Sequence, residues 1–282
     1  MSANRNYKDS VFTTLFNNPD LLRELYCALE GVILPPDVPV SINTLENTMI
    51  MGMYNDISFE IGGKLVVLIE HQSTINPNMA LRLLLYIAEM YERMIKGKNI
   101  YSTKPLSIPW PEFFVLYNGQ DPFPDNAVLR LSELFEKPQG LGLPEKAIPL
   151  LELEAKVINI NEGKNEAIVR QCSKLREYST FMARIQEYKG KMGNLGEAIQ
   201  EAIKFCHQHD ILKEYLEIYG SEVLSMLHTE FNIEEAKEVW QEEAREENSI
   251  EIAQKALAKG STPEFVQEIT GLDPEIIQGL GK

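Results

Sequence analysis

Two acidic residues and a glutamine stand at the ends of two adjacent segments that are typical of paired β-strands. Asp56 opens the run 56–61, and Glu70 and Gln72 close the run 64–72. Carboxylates that are brought together repel each other unless a cation lies between them. Hard oxygen ligands of this kind are the ones that Mg²⁺ and Ca²⁺ prefer. Asp56 and Glu70 therefore predict a site for a divalent cation, with Mg²⁺ expected first and Mn²⁺ or Ca²⁺ as alternatives.

The segment between these residues is typical of a β-hairpin, and the length of its turn decides the chemistry. Gly62-Gly63 has the composition of a tight turn. A plain two-residue turn would pair Asp56 with Ile69, which directs Asp56 and Glu70 to opposite faces of the sheet. A three-residue turn over 62–64, or a bulge, would bring both carboxylates to one face. We therefore expect an odd-length turn or a bulge here.

Apolar residues recur at helical or alternating spacing along the rest of the chain, and this spacing predicts the other elements. Asp9 and Asn18 are expected as helix N-caps. The predicted helices begin after Asp9 and also cover 18–29, 76–96, 129–135, 168–188, 195–206, 211–216 and 221–247. The other predicted strands lie within 40–54, 109–118 and 155–160. From Asn165 onward the chain is predicted to be nearly all helical.

At these residues the chain resembles a known family of nucleases. The segments that carry the resemblance are Asp56, Ile-Glu-His-Gln-Ser at 69–73, Met-Ala-Leu-Arg-Leu-Leu-Leu-Tyr at 79–86, and the stretches 12–29, 113–119 and 269–272. They are similar to the Rpn family of recombination-promoting nucleases, also labelled putative transposases, in the PD-(D/E)xK nuclease superfamily. One departure stands out, because Gln72 occupies the position where the superfamily signature has lysine.

The resemblance implies a fold and an activity. The implied fold is α/β, with a restriction-endonuclease-like αβββαβ core whose mixed central sheet is flanked by helices, followed by a mainly α-helical C-terminal region. We divide the chain into a nuclease-like domain (1–163), a helical region (164–248) and a small helical module (249–282). The implied activity is Mg²⁺-dependent hydrolysis of DNA phosphodiester bonds, acting in recombination or mobile-element movement.

The resemblance also implies roles for the residues of the hairpin. Asp56 and Glu70 would be the side-chain ligands of the metal, and the backbone carbonyl of His71 would be a third ligand. Gln72 would complete the catalytic group. Its amide has no positive charge, but it can hydrogen-bond a metal-bound water, so hydrolysis remains possible with weaker electrostatic help.

Basic and aromatic residues that follow are candidate DNA contacts. Arg82 and Tyr86 lie at i, i+4 and share one face of a predicted helix. A lysine cluster with Tyr101 inside it could meet the DNA backbone, and its members are Lys96, Lys98 and Lys104. Ordinary structural roles remain open for all of these residues: a helix-surface ion pair for Arg82, a solvated helix end for the lysines, and a strand cap and a surface salt bridge for Asp56 and Glu70.

Composition narrows the classes of partner and compartment. The formal net charge is −15, which argues against nucleic-acid binding through net charge but allows a local basic groove. The cysteines Cys27, Cys172 and Cys206 are isolated, so neither a disulfide framework nor a zinc site is indicated. We expect a cytoplasmic protein without an organic cofactor. No apolar run of membrane-spanning length occurs, so no membrane partner is expected.

Three classes of function follow from the sequence. The first is the metal-dependent DNA endonuclease, and the second is a catalytically weak or inactive nuclease-fold protein that binds DNA. The third is a module for self-assembly or protein interaction, built by the acidic helical half. A homodimer is expected, because a nuclease that cuts both strands gains from two-fold symmetry. Its interface is predicted to use apolar residues at helical spacing, namely Leu212, Leu216, Val223, Leu224, Leu227 and Val239.

Overall fold

A computed structural model of the 282-residue chain describes residues 10–43, 56–71, 76–136, 148–258, 261–272 and 277. For Asp56 and residues 68–71, 228–248, 251, 258 and 264 it describes the backbone alone. The chain divides into two compact units, Met1–His228 and Thr229–Lys282. Each unit is considered by itself below.

The first unit is built on a mixed sheet of six strands in the order β1-β2-β3-β4-β6-β5. The strands are β1 (Val40–Ile42), β2 (Asp56–Ile61), β3 (Lys64–His71), β4 (Trp110–Tyr117), β5 (Asn126–Arg130) and β6 (Glu154–Asn159). The pairs β3–β4 and β4–β6 are parallel, and the other pairs are antiparallel. The predicted α/β class is therefore confirmed, with helices flanking the sheet.

Helices alternate with these strands and then dominate the chain. They are α1 (Val11–Phe16), α2 (Pro19–Glu30), α3 (Met79–Met94), α4 (Glu166–Gln171), α5 (Ser173–Met192), α6 (Leu195–Gln208), α7 (Lys213–Ala258) and α8 (Pro263–Thr270). Asn18 caps α2 as predicted, since its side chain accepts from the backbone N–H of Asp20 and Leu21. Ser10 caps α1 in a capping box with Thr13. The predicted cap, Asp9, lies outside the described residues.

The two faces of the sheet bury different partners. Helix α3 covers one face, where a core cluster joins its Leu83 and Tyr86 to Val67 of β3 and Val115 of β4. Helix α2 covers the other face, and its Tyr26 ring lies edge-on to Phe59 of β2 with 6.4 Å between centroids. Two covered faces explain why the central strands β3 and β4 are nearly continuous apolar runs.

The helices after Asn165 pack in the same unit as the sheet. The Tyr178 ring of α5 meets the Phe12 ring of α1 at 5.6 Å between centroids. The hydroxyl of Ser179 donates to the backbone carbonyl of Ile160, just after β6. The boundary predicted between residues 163 and 164 therefore falls inside the first unit.

Two sequence predictions about these elements differ from the structure. Strand β5 lies where no strand was predicted, whereas the 3-10 helix at Leu131–Leu134 falls inside the helix predicted at 129–135. The helices predicted at 211–216 and 221–247 form one helix of 46 residues, α7. Both differences arise because packing overrides local signals: β5 pairs with β6, and Gly220 lies within α7 without ending it.

The predicted dimer interface is tested only in part by the burial of its apolar residues. Leu212, Leu216, Val223 and Leu227 are each at most 2% exposed within the single chain. Burial within the chain is the common role of apolar residues at helical spacing. Leu224 is partly buried, and the side chain of Val239 is not described. The expected homodimer stays a prediction, and the four buried side chains do not support it.

The second unit consists of the end of α7, helix α8 and the residues that follow. Its core contains Ala253, Val266, Leu272 and Ile277. The side chain of Thr262 caps α8 by accepting from the backbone N–H of Phe265, and Gly271 ends the helix in the left-handed conformation. Among the described residues of both units, no helix is long and apolar enough to cross a membrane.

Candidate functional site

The hairpin turn has two residues, so the predicted odd-length turn or bulge is wrong. Gly62 and Gly63 both have positive φ, 55° and 84°, as the tight turns that match the twist of a hairpin require. Ile61 pairs with Lys64, and the ladder continues without a bulge to Asp56 opposite Ile69. Glycine is what makes this short turn accessible, because other residues strain at such φ values.

This register has a consequence for the predicted metal ligands. Residues directly opposite in an antiparallel pair share a face, and successive residues alternate. Asp56 is paired with Ile69, whereas Glu70 is the next residue along β3. In a regular ladder, Asp56 and Glu70 therefore do not occupy the same face of the sheet. The register argues against a carboxylate pair on one face, and this is the main departure from the sequence prediction.

The same two residues nevertheless lie at one end of the sheet. Asp56 is the first residue of β2, and Glu70 and His71 are the last two of β3. Strand β4 runs parallel to β3, with Leu116 beside Glu70 and Tyr117 beside His71. We call this end, where β2 begins and β3, β4 and β6 finish, the carboxyl edge. Gln72 lies outside the described residues.

Helix α3 begins at the carboxyl edge and brings Tyr86 under it. Tyr86 is 1% exposed, and its hydroxyl donates to the Oγ of Ser58 at 3.3 Å. Ser58 is fully buried two residues from Asp56 along β2. The prediction that Tyr86 contacts DNA is therefore wrong, because a side chain enclosed in the core cannot reach a phosphate.

Arg82 lies one turn before Tyr86 on the same side of α3. Its Nε is buried, although the residue as a whole is only partly covered. The helix-surface ion pair of the ordinary alternative stays open for Arg82. Arg82 thus remains a candidate for contacts at the carboxyl edge, where it carries a permanent positive charge.

The predicted lysine contacts lie at the far end of α3. The helix runs back across the sheet, and the Tyr91 hydroxyl donates to the carbonyl of Pro109, just before β4 begins. From Arg82 to Met94 the helix advances about 18 Å at 1.5 Å per residue. Lys96, Lys98 and Lys104 follow Met94 and are exposed. They are therefore remote from the carboxyl edge, and the structure does not bring them together with Arg82.

Asparagines at the carboxyl edge were missed by the sequence analysis. Asn118 follows β4 directly, Asn159 ends β6, and both are at most 5% exposed. The side-chain Nδ2 of Asn159 donates to the carbonyl of Phe123 at 3.0 Å. The nearby Asn161 donates in the same way to the carbonyl of Gly119 at 3.0 Å. The only sequence signal was a polar residue directly after each apolar strand.

An ion-pair network occupies the opposite end of the sheet, where β3 and β4 begin. We call it the Glu112 network; it consists of Glu112, Lys64, Lys156, Glu30 and Tyr26. Glu112 accepts from Lys64 at 2.9 Å, from Lys156 at 3.2 Å and from the Tyr26 hydroxyl at 3.2 Å. Lys156 also pairs with Glu30 of α2.

The pKa values in the Glu112 network follow from these contacts. Burial by itself would raise the pKa of Glu112, yet the hydrogen bonds from Lys64 and Lys156 outweigh it and hold that pKa below its usual range. The hydrogen bond with Tyr26 and the contact with Glu112 raise the pKa of Lys64 despite partial burial. Glu112, Lys64 and Lys156 therefore stay charged at neutral pH. Each of these charges lies beside an opposite charge.

Two of the three thiols, those of Cys172 and Cys206, contribute no reactive group. Burial raises the pKa of Cys172 and of Cys206 to about 12, so both are protonated at neutral pH and poor nucleophiles or metal ligands. Among the side chains that the structure describes, no three His, Cys, Asp or Glu residues gather as metal ligands. The side chains of Asp56 and Glu70 are not among those described.

The fold and this edge define an α/β protein with a mixed six-stranded sheet and polar groups at the carboxyl ends of its central strands. One family model matches the chain, over residues 53–210, and it describes putative transposases that are YhgA-like. Because the match covers more than half of the chain, the protein belongs to this family, and the predicted resemblance is confirmed. No curated protein and no solved structure matches the chain.

The matched segment coincides with the elements that form the carboxyl edge. It runs from just before β2 through α3, β4, β5 and β6 to the end of α6. Helices α1, α2, α7 and α8 and strand β1 lie outside it. The family therefore accounts for the hairpin and the parallel strands beside it.

Proposed function

We propose that this chain is a divalent-metal-dependent DNA endonuclease that hydrolyses phosphodiester bonds, in line with a role in recombination or mobile-element movement. The observation that carries the proposal is the position of Asp56 and Glu70 at one edge of two adjacent strands, in a member of a transposase family. The PD-(D/E)xK core is part of this proposal. The order β2, β3, α3, β4 agrees with that core.

The chemistry of the donor set suits a hard cation. Asp56 and Glu70 would supply carboxylate oxygens and His71 a backbone carbonyl, and Mg²⁺ favours such ligands. When bound, the metal would activate water and stabilise charge on the phosphate. Gln72 would orient that water through its amide. Arg82 would supply the positive charge that the superfamily takes from lysine.

The two-residue turn, which pairs Asp56 with Ile69, sets a condition on this arrangement. Asp56 opposes Ile69 in the terminal pair of the β2–β3 ladder, and no further described pair of that ladder holds it. A cation shared with Glu70 therefore requires the ladder to open at Asp56, which disrupts one terminal pair and leaves the five others intact. We propose that cation binding includes this local change.

The test is cleavage of supercoiled plasmid DNA in Mg²⁺ or Mn²⁺, together with calorimetric titration of Mn²⁺ into the metal-free protein. Asp56→Asn should abolish cleavage and weaken Mn²⁺ binding. Glu60→Gln is the matched control, since Glu60 lies on the same strand, accepts from Asn43 and should leave both readouts unchanged. Cleavage that persists in purified Asp56→Asn protein would refute the proposal.

A second candidate is a nuclease-fold protein that binds DNA without cutting it. Two observations favour it. Gln72 replaces the superfamily lysine, and the β2–β3 register directs Asp56 and Glu70 to different faces of the sheet. The same preparations separate the candidates, because a gel shift with DNA but no cleavage in either metal selects the second. Gln72→Lys then becomes informative, since cleavage gained on restoring the cation would show that the missing charge had silenced the site.

A further inference from the structure

Asn118 is a buried amide whose donor has no acceptor. It follows the last residue of β4 and is 5% exposed. Its Nδ2 is inaccessible to solvent and makes no hydrogen bond within the part of the chain that the structure describes. A buried donor left in this state destabilises the protein. An acceptor that is brought by a bound ligand would remove this cost.

The neighbouring asparagines show that the loop around Asn118 is otherwise well satisfied. Asn159 donates to Phe123, and Asn161 donates to Gly119. Asn165 donates to the carbonyls of Asp125 and Asn159. Three side-chain amides thus hold the loop 119–125 against β6. The missing hydrogen bond of the Asn118 Nδ2 is therefore not explained by loose packing of this loop.

The residues on either side of Asn118, Tyr117 and Gly119, fix its position. The Tyr117 hydroxyl donates to the carbonyl of Asp121 at 2.8 Å. A Cβ atom at Gly119 would lie 2.6 Å from that hydroxyl oxygen, closer than real contacts allow. Glycine at 119 lets the Tyr117 ring fold over the chain. Asn118 is consequently held between a clamped tyrosine and an obligatory glycine.

The sheet places Asn118 next to the proposed cation ligands. In the parallel β3–β4 pair, Leu116 lies beside Glu70 and Tyr117 beside His71. Asn118 is the next residue of that chain, at the edge where β3 ends. Asn118 is therefore a buried donor at the same edge as the backbone positions of Glu70 and His71.

We propose that Asn118 is a positioning residue of the cation centre. Its Nδ2 donates to an oxygen of that centre, a ligand carboxylate or a cation-bound water, once the cation is bound. Groups that orient metal ligands in this way commonly change metal affinity 10–100-fold when removed. The inference rests on the proposed function and names a residue that the predicted ligand set did not contain.

The test compares two asparagines at the same edge. Asn118→Leu removes the unpaired donor, so the metal-free protein should be as stable as the wild type or more stable. Its Mn²⁺ affinity should fall roughly tenfold or more, and its plasmid cleavage should fall in parallel. Asn159→Leu is the matched control, because it removes a satisfied amide. It should lower the thermal unfolding midpoint while the Mn²⁺ affinity of the folded protein stays within about threefold.

Two further variants protect the test against misfolding. Asn118→Ala should reproduce the loss of Mn²⁺ affinity with a smaller side chain, and Asn118→Ser, which keeps a donor, should recover part of it. Unchanged Mn²⁺ affinity in folded Asn118→Leu or Asn118→Ala would overturn the inference while leaving the proposed nuclease intact. A wild-type protein that neither binds Mn²⁺ nor cuts DNA would instead overturn the proposed function and this inference with it.

Discussion

The polar groups at the two ends of the central strands differ in how completely they are paired. Where β3 and β4 begin, Glu112 accepts from Lys64, Lys156 and Tyr26, and each charge is neutralised by a neighbour. Where the same strands finish, Asn118 is buried with no acceptor in the described part of the chain. One end is saturated with partners, and the other retains unused hydrogen-bonding capacity.

This difference separates stability from function along a single pair of strands. A buried charge stabilises a fold only if it is paired, and removing one partner leaves an uncompensated charge. A buried donor without an acceptor destabilises the free protein and gains its partner when a ligand binds. We therefore expect substitutions at the Glu112 network to change the free energy of unfolding, and substitutions at the carboxyl edge to change metal binding and catalysis.

The largest expected effect comes from replacing a glutamate by glutamine at the carboxyl edge. Glu70→Gln removes a proposed metal ligand while keeping the size of the side chain. We expect plasmid cleavage to fall by roughly a thousandfold or more, equivalent to about 4 kcal/mol in the barrier. The thermal unfolding midpoint of the metal-free protein should stay close to that of the wild type. Rates measured at saturating Mg²⁺ and at several Mg²⁺ concentrations would separate lost affinity from lost catalysis.

Glu112→Gln should produce the opposite pattern. It leaves Lys64 and Lys156 facing a neutral amide, so the free energy of unfolding should fall by about 2 kcal/mol at pH 7, the range for hydrogen bonds to charged groups. Cleavage by the folded protein, assayed well below its unfolding midpoint, should be unchanged. A variant with normal stability and lost cleavage would reverse the roles of the two ends.

The pH dependence of the unfolding free energy of wild type and Glu112→Gln tests the ion-pair explanation. The pKa of Glu112 is lowered in the folded protein, so its stabilising contribution is present above the unfolded pKa of about 4.3. That contribution is lost as the pH falls through the folded pKa. The stability gap between wild type and Glu112→Gln should therefore shrink below about pH 4. Denaturant unfolding of both proteins between pH 3 and 7 would measure it, and a gap that widens on acidification would contradict the ion-pair account.

Tyr86→Phe tests whether Tyr86 belongs to the core. Removing its hydroxyl deletes the hydrogen bond to Ser58 and should lower the free energy of unfolding by about 1 kcal/mol. DNA affinity measured by fluorescence anisotropy should not change, because the hydroxyl is buried. Arg82→Gln, on the same helix, is the comparison that should weaken DNA binding. Equal losses of affinity in both variants would return Tyr86 to the DNA interface.

The smallest effect is expected from the lysines beyond α3. Replacing Lys96, Lys98 and Lys104 together by alanine should change the cleavage rate by less than about threefold, since they follow the far end of α3, which lies roughly 18 Å along the helix from Arg82. Repeating the assay at two salt concentrations sharpens the result, because phosphate contacts steepen the salt dependence of binding. A clear drop in that dependence would show that bound DNA extends to this end of the sheet.

Local signals predicted much of the fold. Asn18 caps α2 as expected, and Gly31 ends this helix in the left-handed conformation, because capping and left-handed positions depend on a few adjacent residues. The apolar runs before Glu70 and Asn118 predicted two central strands. Strand β5 was missed, since Asn126–Arg130 has alternating exposure only through its pairing with β6. Pairing between distant segments leaves little trace in a local pattern.

The candidate site divides in the same way. The sequence by itself identified Asp56 and Glu70 as carboxylates at the strand ends and identified Gly62-Gly63 as the turn between them. Only the tertiary structure decided the two-residue turn, and with it the register of Asp56 opposite Ile69. It also decided that Tyr86 is enclosed, that the lysines lie at the far end of α3, and that Asn118 keeps an unused donor. The reason is physical: residue type determines which chemistry is available, whereas side-chain alternation, helix direction and hydrogen-bond partners depend on contacts between segments far apart in the chain.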